Sequence, residues 1–577
     1  MTKDSEIWIR PGPIRAKAAQ RLRPFINQAL AAAQKAGASV RNGQVRSAKS
    51  GFGRGRAATL RANRLLTNRS RQAVVKARVV RHRGQPTPLK AHLRYLQREG
   101  VTQDGSKAHL FGPEADQADA GEFAERTADD RHHFRFIVSP DDAQQMEDLK
   151  GFSRDLMKQA EQDLGTKLDW VGVAHWNTEH PHVHIVVRGK TDQGEDLVIS
   201  RDYIKEGMRA RAQNLITLEL GDRTDQDIRQ TLHRQVDSER LTQLDRQMLS
   251  DQRRAGYIDL APATGASPDE FQVLKAGRMR KLEALGLANQ FAPAQWVISE
   301  QAPAILRELG ERSDIIKRIH RGLAESGIER AAASYVVSVA PSAGPVVGKL
   351  VDRGLDDELK GTAFVIVDGV DGRTHHIALP DLEATSDAVP GAIVEVKRAT
   401  DNAGTSRLRL SVLSDHPLEA QIGALGATWL DKVAVTGQDD GISDGGFGRE
   451  AHAALARRGD YLVSEGLAKM GPEGLSFRKD LLSTLRQREL EAVAGQIAKT
   501  TGRSFVENNA GEYASGTYSR RLNLSSGRFA VLDDAMGFRL VPWSPSIEAR
   551  LGQHISGVVR DTGSISWNFA RKRDLGL

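Results

Sequence analysis

Three histidines lie close together in the first third of the sequence. His182 and His184 stand in HPHVHIVV, where strand alternation places both imidazoles on one face. His175 ends the preceding stretch WVGVAH, and a tight hairpin would bring it opposite that pair. Three imidazole nitrogens can hold one divalent ion and leave coordination positions open. Without a carboxylate ligand the ion keeps its full charge to polarise a phosphodiester oxygen, so the pattern predicts a phosphoryl-transfer site.

The density of histidine argues against a purely structural role. One histidine on an apolar strand is usually a packed or surface residue, but four of the 16 histidines lie between residues 175 and 184. His180 precedes Pro181 in the turn NTEHP, where it is poorly placed to be a ligand. We predict that His180 and Asn177, both in this turn, support the ligand histidines without binding the metal.

The elements around these histidines predict an α+β domain. β-Branched residues interleaved with basic ones predict a strand over residues 72–82, and LKAHLRYLQREG predicts a short helix that carries Tyr95. HHFRFIVS predicts a strand over 132–139, followed by a long amphipathic helix with Ser139 as its cap and Gly165 at its end. KLDWVGVAH and HVHIVVRG then predict an antiparallel hairpin.

Charge is distributed unevenly along the 577 residues. The net charge is +8, yet residues 1–100 hold 23 Lys and Arg against three acidic residues, so the remainder is net acidic. Residues 1–70 are rich in Arg, Gly, Ser and Ala and are predicted to form a disordered basic arm suited to a polyanion. The chain has no cysteine, which excludes disulfides, thiol nucleophiles and Cys-ligated zinc. Because it has no signal peptide and no long apolar stretch, we expect no membrane insertion.

The length favours several domains. Residues 71–250 are predicted to form the catalytic domain, an antiparallel sheet with helices. A helical region over 251–335 follows, in which RMRKLEALGLANQFAPAQWVIS has the helix, glycine, strand order of a winged helix. Short Val- and Ile-rich strands predict a small β-barrel-like domain over 346–412, and residues 416–577 are predicted to form a mixed α/β domain.

The motif HWNTEHPHVHIVV resembles the third motif of conjugal relaxases of the HUH endonuclease superfamily, which includes the border endonuclease of tumour-inducing plasmids. Other stretches, among them AVVKARVVRH, HLRYLQREGV, RHHFRFIVS and DLVISRDYI, are similar to relaxases that carry a long C-terminal domain of unknown function. The likeness continues through ISDGGFGREAHAAL and LVPWSPSIEARLGQHISG and covers most of the chain. It implies an HUH relaxase domain that nicks DNA.

The resemblance also implies residue roles that spacing alone does not supply. His175, His182 and His184 match the family's metal ligands, with Mg²⁺ or Mn²⁺ as the ion. Tyr95 in HLRYLQREG matches its nucleophilic tyrosine, which would attack one DNA strand and stay covalently linked to the 5' phosphate. Among the seven tyrosines, Tyr203 in SRDYI is the main rival.

Partners and location follow from the same resemblance. The substrate would be single-stranded or supercoiled DNA at the origin of transfer of a plasmid or integrative element. Relaxosome accessory proteins and the coupling protein of a type IV secretion system would be the protein partners. The protein is expected in the bacterial cytoplasm and, with its DNA, in the recipient cell. The candidate contacts with DNA are Arg78, Arg81, Arg83, Arg94 and Arg98.

Two other functions fit part of the pattern. HPHVHIVV also matches the alternation of histidine-triad nucleotide hydrolases, in which His182 would be a nucleophile without a metal. A nonenzymatic DNA-binding scaffold protein would show salt-sensitive binding and no nicking. In addition, relaxases of the wider family often carry Asp where this chain has Asn177, and an amide cannot act as a base. The general base is therefore unassigned.

Overall fold

The structure is a computed structural model, and its contacts divide the chain into two compact units, Met1–Asp314 and Ile315–Leu577. No helix in the described part of the chain is both long and apolar enough to cross a membrane. The structure describes residues 38–41, 44–47, 69–82, 89–98, 101–176, 181–200, 202–262, 267–338, 344–357, 359–400, 404, 406–437, 441–472, 474–509, 511–534, 537–548, 550–560 and 564–568.

The predicted basic arm contains one hairpin. Strands β1 (Ala38–Arg41) and β2 (Gln44–Ser47) pair in antiparallel register, with Val40 opposite Val45. These eight residues thus differ from the expectation of disorder, because alternating β-branched and polar residues support a short ladder. Nearly all other residues of the arm lie outside the described part.

A four-stranded sheet forms the framework of the first unit. Its strands run antiparallel in the order β3-β4-β6-β5, which confirms the predicted hairpin of the last two strands. In chain order the elements are β3 (Ala73–Arg81), α1 (Leu89–Leu96), α2 (Ala120–Thr127), β4 (His132–Pro140), α3 (Leu149–Leu164), β5 (Trp170–His175), β6 (His182–Arg188) and, after a π-helical turn at Tyr203–Gly207, α4 (Met208–Leu220).

Strand alternation gives this sheet two different faces. One face buries apolar residues of β4 and β6, such as Phe136 and Ile185, in a core shared with α3 and α4. On the opposite face, Val173 and Val186 form a second core with leucines of α1, including Leu93, and with Phe123 of α2. The sheet therefore carries α1 on the same face as His182 and His184.

The cap of the long helix α3 differs from the prediction. Asp148, rather than Ser139, caps its first turn by accepting a hydrogen bond from the backbone N–H of Lys150. Strand β4 continues to Pro140, so that Ser139 still belongs to the sheet. The predicted end at Gly165 is confirmed, because this glycine adopts the left-handed conformation that closes the helix.

A second, separate core follows within the first unit. It buries Ile228, Leu244 and Trp296 from helices and a three-stranded sheet of order β7-β9-β8. The core begins near residue 225, because the two helices before the predicted boundary at 251 pack into it. Its elements are α5 (Asp225–Asp237), α6 (Gln243–Ala255), β7 (Ile258–Asp259), α7 (Glu270–Ala284), β8 (Ala288–Ala292) and β9 (Gln295–Ile298), and α8 (Ala302–Glu325) then crosses into the next unit.

The second unit opens with a six-stranded sheet of order β10-β13-β12-β11-β14-β15. Its strands are β10 (Tyr335–Ser338), β11 (Val346–Asp357), β12 (Thr362–Gly369), β13 (Thr374–Leu379), β14 (Ile393–Thr400) and β15 (Ser406–Ser414). Leu350, Val365 and Val394 lie in one of the cores to which this sheet contributes. However, β10 and β15 remain at opposite edges in the described residues, so the sheet is open and not the barrel that we expected.

Helices, a small hairpin and a final sheet complete the second unit. The helical part contains α9 (Leu418–Ile422), α10 (Trp429–Thr436), α11 (Gly446–Ser464), β16 (Ala468–Gly471), β17 (Gly474–Phe477) and α12 (Leu481–Thr501). The last sheet has the order β18-β21-β20-β19-β22-β23. It comprises β18 (Ser504–Phe505), β19 (Tyr513–Leu524), β20 (Gly527–Asp533), β21 (Gly537–Pro542), α13 (Pro545–Glu548), β22 (His554–Val559) and β23 (Ile565–Trp567).

Residues 225–299 and 418–479 share one internal architecture. In the first, Thr242 and Asp245 form a capping box, and Arg278 donates two hydrogen bonds to Asp245. In the second, the corresponding residues are Thr428, Asp431 and Arg458. Each arginine also donates to the backbone carbonyls two, four and six residues before its threonine, namely those of Arg240, Ser238 and Val236 or of Gly426, Ala424 and Ile422.

The resemblance extends beyond these arginines. In both modules a leucine, a glycine and a Leu-Ala pair follow the arginine at four, eight, nine and ten residues, as in Leu282-Gly286-Leu287-Ala288 and Leu462-Gly466-Leu467-Ala468. Gln235 and Gln421, each seven residues before the threonine, accept a hydrogen bond from the backbone of the helix that follows. The two segments are therefore an internal structural repeat of helices followed by a β-hairpin.

Candidate metal centre

The three predicted ligand histidines converge at the open end of the β5–β6 hairpin. Register pairs His175 directly with His182, and His184 lies two residues further along the same face. Each of the three contributes a ring nitrogen to a set in which all the nitrogens lie within 4.8 Å of one another. All three side chains are buried in the first unit. The residues that join the two strands, 177–180, lie outside the described part, and the predicted roles of Asn177 and His180 stay predictions.

The spacing of these nitrogens fits ligation of one ion. The Nε2 atoms of His182 and His184 are 3.1 Å apart. Two nitrogens, each about 2.1 Å from one ion, would be about 3.0 Å apart at a right angle and about 3.4 Å apart at the tetrahedral angle. Two imidazole lone pairs this close repel each other unless a proton or a cation lies between them. The donor set fits a divalent ion, and imidazoles suit Zn²⁺, Ni²⁺ or Fe²⁺ at least as well as Mg²⁺ or Mn²⁺.

The third histidine is oriented by helix α1. Nε2 of His175 lies 2.8 Å from the backbone carbonyl oxygen of Leu96. Because a carbonyl can only accept, Nε2 carries the proton in neutral His175 and Nδ1 has the lone pair available to a metal. Metal-ligating histidines commonly donate their other ring N–H in this way, which fixes the tautomer and the ring orientation. The bond also satisfies a carbonyl in the last turn of α1.

Tyr95, the predicted nucleophile, is the residue before Leu96. Its helix is anchored by Leu89, Leu93 and Leu96, which are buried against the strands of the hairpin. The Tyr95 side chain is half-buried, and the Arg98 guanidinium lies 4.4 Å from the centre of its ring. The hydrogen bond at Leu96 therefore joins the segment that carries Tyr95 to one of the histidines.

Tyr203, the rival tyrosine, has a different environment. Its hydroxyl donates to Asp163 at 2.9 Å, and Arg211 pairs with the same carboxylate. Burial and the carboxylate raise the pKa of Tyr203 above its ordinary range, because both disfavour a phenolate. Gly207 packs against the Tyr203 ring so closely that a Cβ would lie 2.5 Å from it. These contacts suit a structural tyrosine.

The candidate DNA contacts are distributed over both faces of the sheet. Arg78 is exposed on β3 and, by alternation, shares the face of His182 and His184. Arg81 is also exposed but lies on the opposite face, because it is three residues from Arg78 and side chains alternate between the two faces of a strand. Arg94 is exposed on α1, and Arg98 contacts Tyr95. Arg83 lies outside the described residues.

Comparison with known proteins concerns the C-terminal part of the chain. A family described as "Protein of unknown function (DUF3363)" matches residues 275–406 and 397–576, more than half of the chain. The chain belongs to this family. No curated protein matches the chain, and no solved structure does. The DUF3363 match begins within α7, beyond the histidines, and its description assigns no activity.

Sequence reasoning missed one group next to the candidate site, upstream of the DUF3363 region. Arg135 on β4 is buried and lies directly opposite Arg78. Its Nε donates a hydrogen bond to His133, a histidine whose sequence context does not distinguish it from an ordinary packed residue. The motif HHFRFIVS places His133 and Arg135 on one face, but only the strand register shows which neighbours they meet.

Proposed function

We propose that this protein is a relaxase, a metal-dependent tyrosine endonuclease that nicks one strand at an origin of transfer and remains attached to it. One observation carries the proposal. His175 is one of three converging histidines, and it donates a hydrogen bond to the backbone next to Tyr95. A cluster able to hold a cation and a tyrosine are thus fixed to each other by a short, buried link.

The chemistry assigned to these residues is a transesterification. A divalent ion bound by His175, His182 and His184 would supply positive charge to a phosphodiester oxygen. The Tyr95 oxygen attacks phosphorus and the bond to the 3' oxygen breaks, which gives a 5' phosphotyrosyl link and a free 3' hydroxyl. The tyrosine proton passes to solvent or to a base that we do not assign, and solvent protonates the departing 3' oxygen. Arg98, beside the Tyr95 ring, places a cation where the substrate phosphate approaches.

The surrounding biology is part of the same proposal. The strand nicked at the origin of transfer of a plasmid or integrative element would remain linked to the protein during conjugative transfer or mobilisation. Relaxosome accessory proteins would present the DNA, and a type IV coupling protein would pass the adduct from the bacterial cytoplasm to the recipient cell. The resemblance of the sequence to conjugal relaxases supports these partners.

The decisive test is formation of a covalent adduct. Wild type, Tyr95→Phe, His182→Ala and, as the matched control, Tyr203→Phe are incubated with labelled single-stranded oligonucleotides tiling candidate origins. Each reaction is run with Mn²⁺, Mg²⁺ or Zn²⁺ or with EDTA and resolved on a denaturing gel. We expect a metal-dependent, protease-sensitive adduct in wild type and Tyr203→Phe, and none in the other two variants.

The alternative functions give different results in the same experiment. DNA binding without cleavage on any strand would favour a nonenzymatic scaffold protein. A nucleotide hydrolase of the histidine-triad type would act in EDTA, depend on His182 and be indifferent to Tyr95→Phe. An adduct that survives Tyr95→Phe would move the nucleophile to another residue.

A further inference from the structure

Two arginines face each other on the sheet beside the histidine cluster. Arg78 of β3 and Arg135 of β4 are direct register partners. Arg135 also pairs with Val186 of β6, two residues beyond His184, so the arginines share the histidines' face. Like charges directly opposite each other destabilise a sheet. The pair therefore brings two positive charges together on the face of the histidine cluster.

Arg135 has no carboxylate partner within the described residues. Only 8% of it is exposed, and the single hydrogen bond of its guanidinium there is from Nε to Nε2 of His133, at 3.0 Å. Its neighbour Arg188 shows the usual arrangement, since it donates to both carboxylate oxygens of Asp130. Buried charges in proteins are normally paired, so the missing anion of Arg135 needs an explanation.

A chain of two histidines holds Arg135 in place without neutralising it. The Nε–H of Arg135 needs an acceptor, so His133 carries its proton on Nδ1 and donates it to Nε2 of His82 at 2.8 Å. Burial and the nearby Arg135 lower the pKa of His133 to about 2, which keeps the imidazole neutral. Burial and Arg78 lower the pKa of Arg135 to about 10, so the guanidinium stays charged at neutral pH.

We propose that Arg135 and Arg78 form a binding site for one backbone phosphate of single-stranded DNA, next to the histidine cluster. The inference rests on the proposed function for the identity of its ligand. The two terminal NH₂ groups of Arg135 can donate to phosphate oxygens, as guanidinium groups commonly do. Lys76, exposed two residues from Arg78 on the same face, continues the positive row along β3. The site would set the register of the strand relative to the metal centre.

The test measures DNA binding without catalysis. The probe is fluorescein-labelled dT12 in EDTA, with the dissociation constant followed by anisotropy between 50 and 300 mM KCl. For single strands, each phosphate contact contributes about 0.7 to the slope of log K against log salt concentration. We expect Arg135→Gln to reduce the slope by about 0.7 and Arg78→Gln to reduce it measurably. Lys158→Gln, which removes an exposed charge on α3 behind the opposite face, should leave it unchanged.

Failure of this inference is distinct from failure of the proposed function. Because EDTA and dT12 remove metal and nicking from the assay, a protein that never cleaves DNA could still show the Arg135-dependent slope. Equal slopes in wild type and Arg135→Gln, with both proteins folded by circular dichroism, would overturn the phosphate site. If Arg135→Gln does not fold, Arg78→Gln decides, and an unchanged slope in that exposed variant would have the same meaning.

Discussion

The internal repeat predicts what happens when one of its central arginines is removed. Arg278 and Arg458 are both buried, and each guanidinium makes five hydrogen bonds, two to a buried carboxylate and three to backbone carbonyls. In each module these bonds join the third helix to the turn before the second. Replacement by methionine keeps much of the side-chain volume and removes every one of them.

The expected loss of unfolding free energy comes from the buried groups that lose their hydrogen-bond donor. Breaking a buried ion pair by removing one partner costs about 3–5 kcal/mol, because the other charge stays buried without compensation. The carboxylates concerned, Asp245 and Asp431, are 1% and 0% exposed. The backbone carbonyls that lose a donor add to the cost. Since whole domains are stable by only about 5–15 kcal/mol, Arg278→Met or Arg458→Met should open its own module.

Hydrogen exchange followed by mass spectrometry reads each module separately. We expect Arg278→Met to raise exchange in peptides from residues 225–299 and to leave 418–479 protected, and Arg458→Met to do the reverse. Urea unfolding supplies the magnitude. The matched controls are Arg280→Met and Arg457→Met, which lie on the same helices but are exposed and should cost less than about 1 kcal/mol. A loss below about 1 kcal/mol for the buried arginines, or equal opening of both modules, would refute the reasoning.

Two further predictions concern the first unit. A divalent ion at 100 times its Kd should stabilise it by about 2.7 kcal/mol, seen as a rise in melting temperature that His182→Ala abolishes and Tyr203→Phe retains. Burial lowers the pKa of His133 to about 2, so this imidazole stays neutral in the folded protein at a pH where it is protonated in the unfolded chain. The resulting contribution to the free energy of unfolding is present above pH 6.5 and is lost as pH falls. The loss of unfolding free energy between pH 7 and pH 5 should therefore be smaller in His133→Gln, by up to about 2 kcal/mol in urea titrations; an unchanged difference would contradict the assignment.

The parts of the site that depend on local pattern could be predicted from the sequence. Alternation in HPHVHIVV is enough to place His182 and His184 on one face, whatever the rest of the fold does. The short NTEHP connection is enough to bring His175 opposite them. Leucines at helical spacing likewise define helix α1 and its buried side.

The parts of the site that depend on backbone atoms or on strand register could not be predicted from the sequence. His175 is oriented by the backbone carbonyl of Leu96, and because every residue has such a carbonyl, no sequence pattern marks this one. Arg78 and Arg135 lie 57 positions apart, and only the register of β3 on β4 makes them neighbours. The repeat was hidden for a related reason, because the segments between Asp and Arg differ in length and no fixed period exists.

The buried arginines of this chain differ in whether the fold itself neutralises their charge. Arg278 and Arg458 are as fully enclosed as apolar side chains, but each has a bidentate carboxylate and a set of carbonyls that account for its charge within the fold. Arg135 is similarly buried, and its one hydrogen-bond partner in the described residues is a neutral histidine that accepts a bond and offsets no charge. Arg278 and Arg458 therefore need no ligand to balance their charge. Because Arg135 lies on the face of the histidine cluster and faces Arg78, its missing negative charge is best supplied by a ligand.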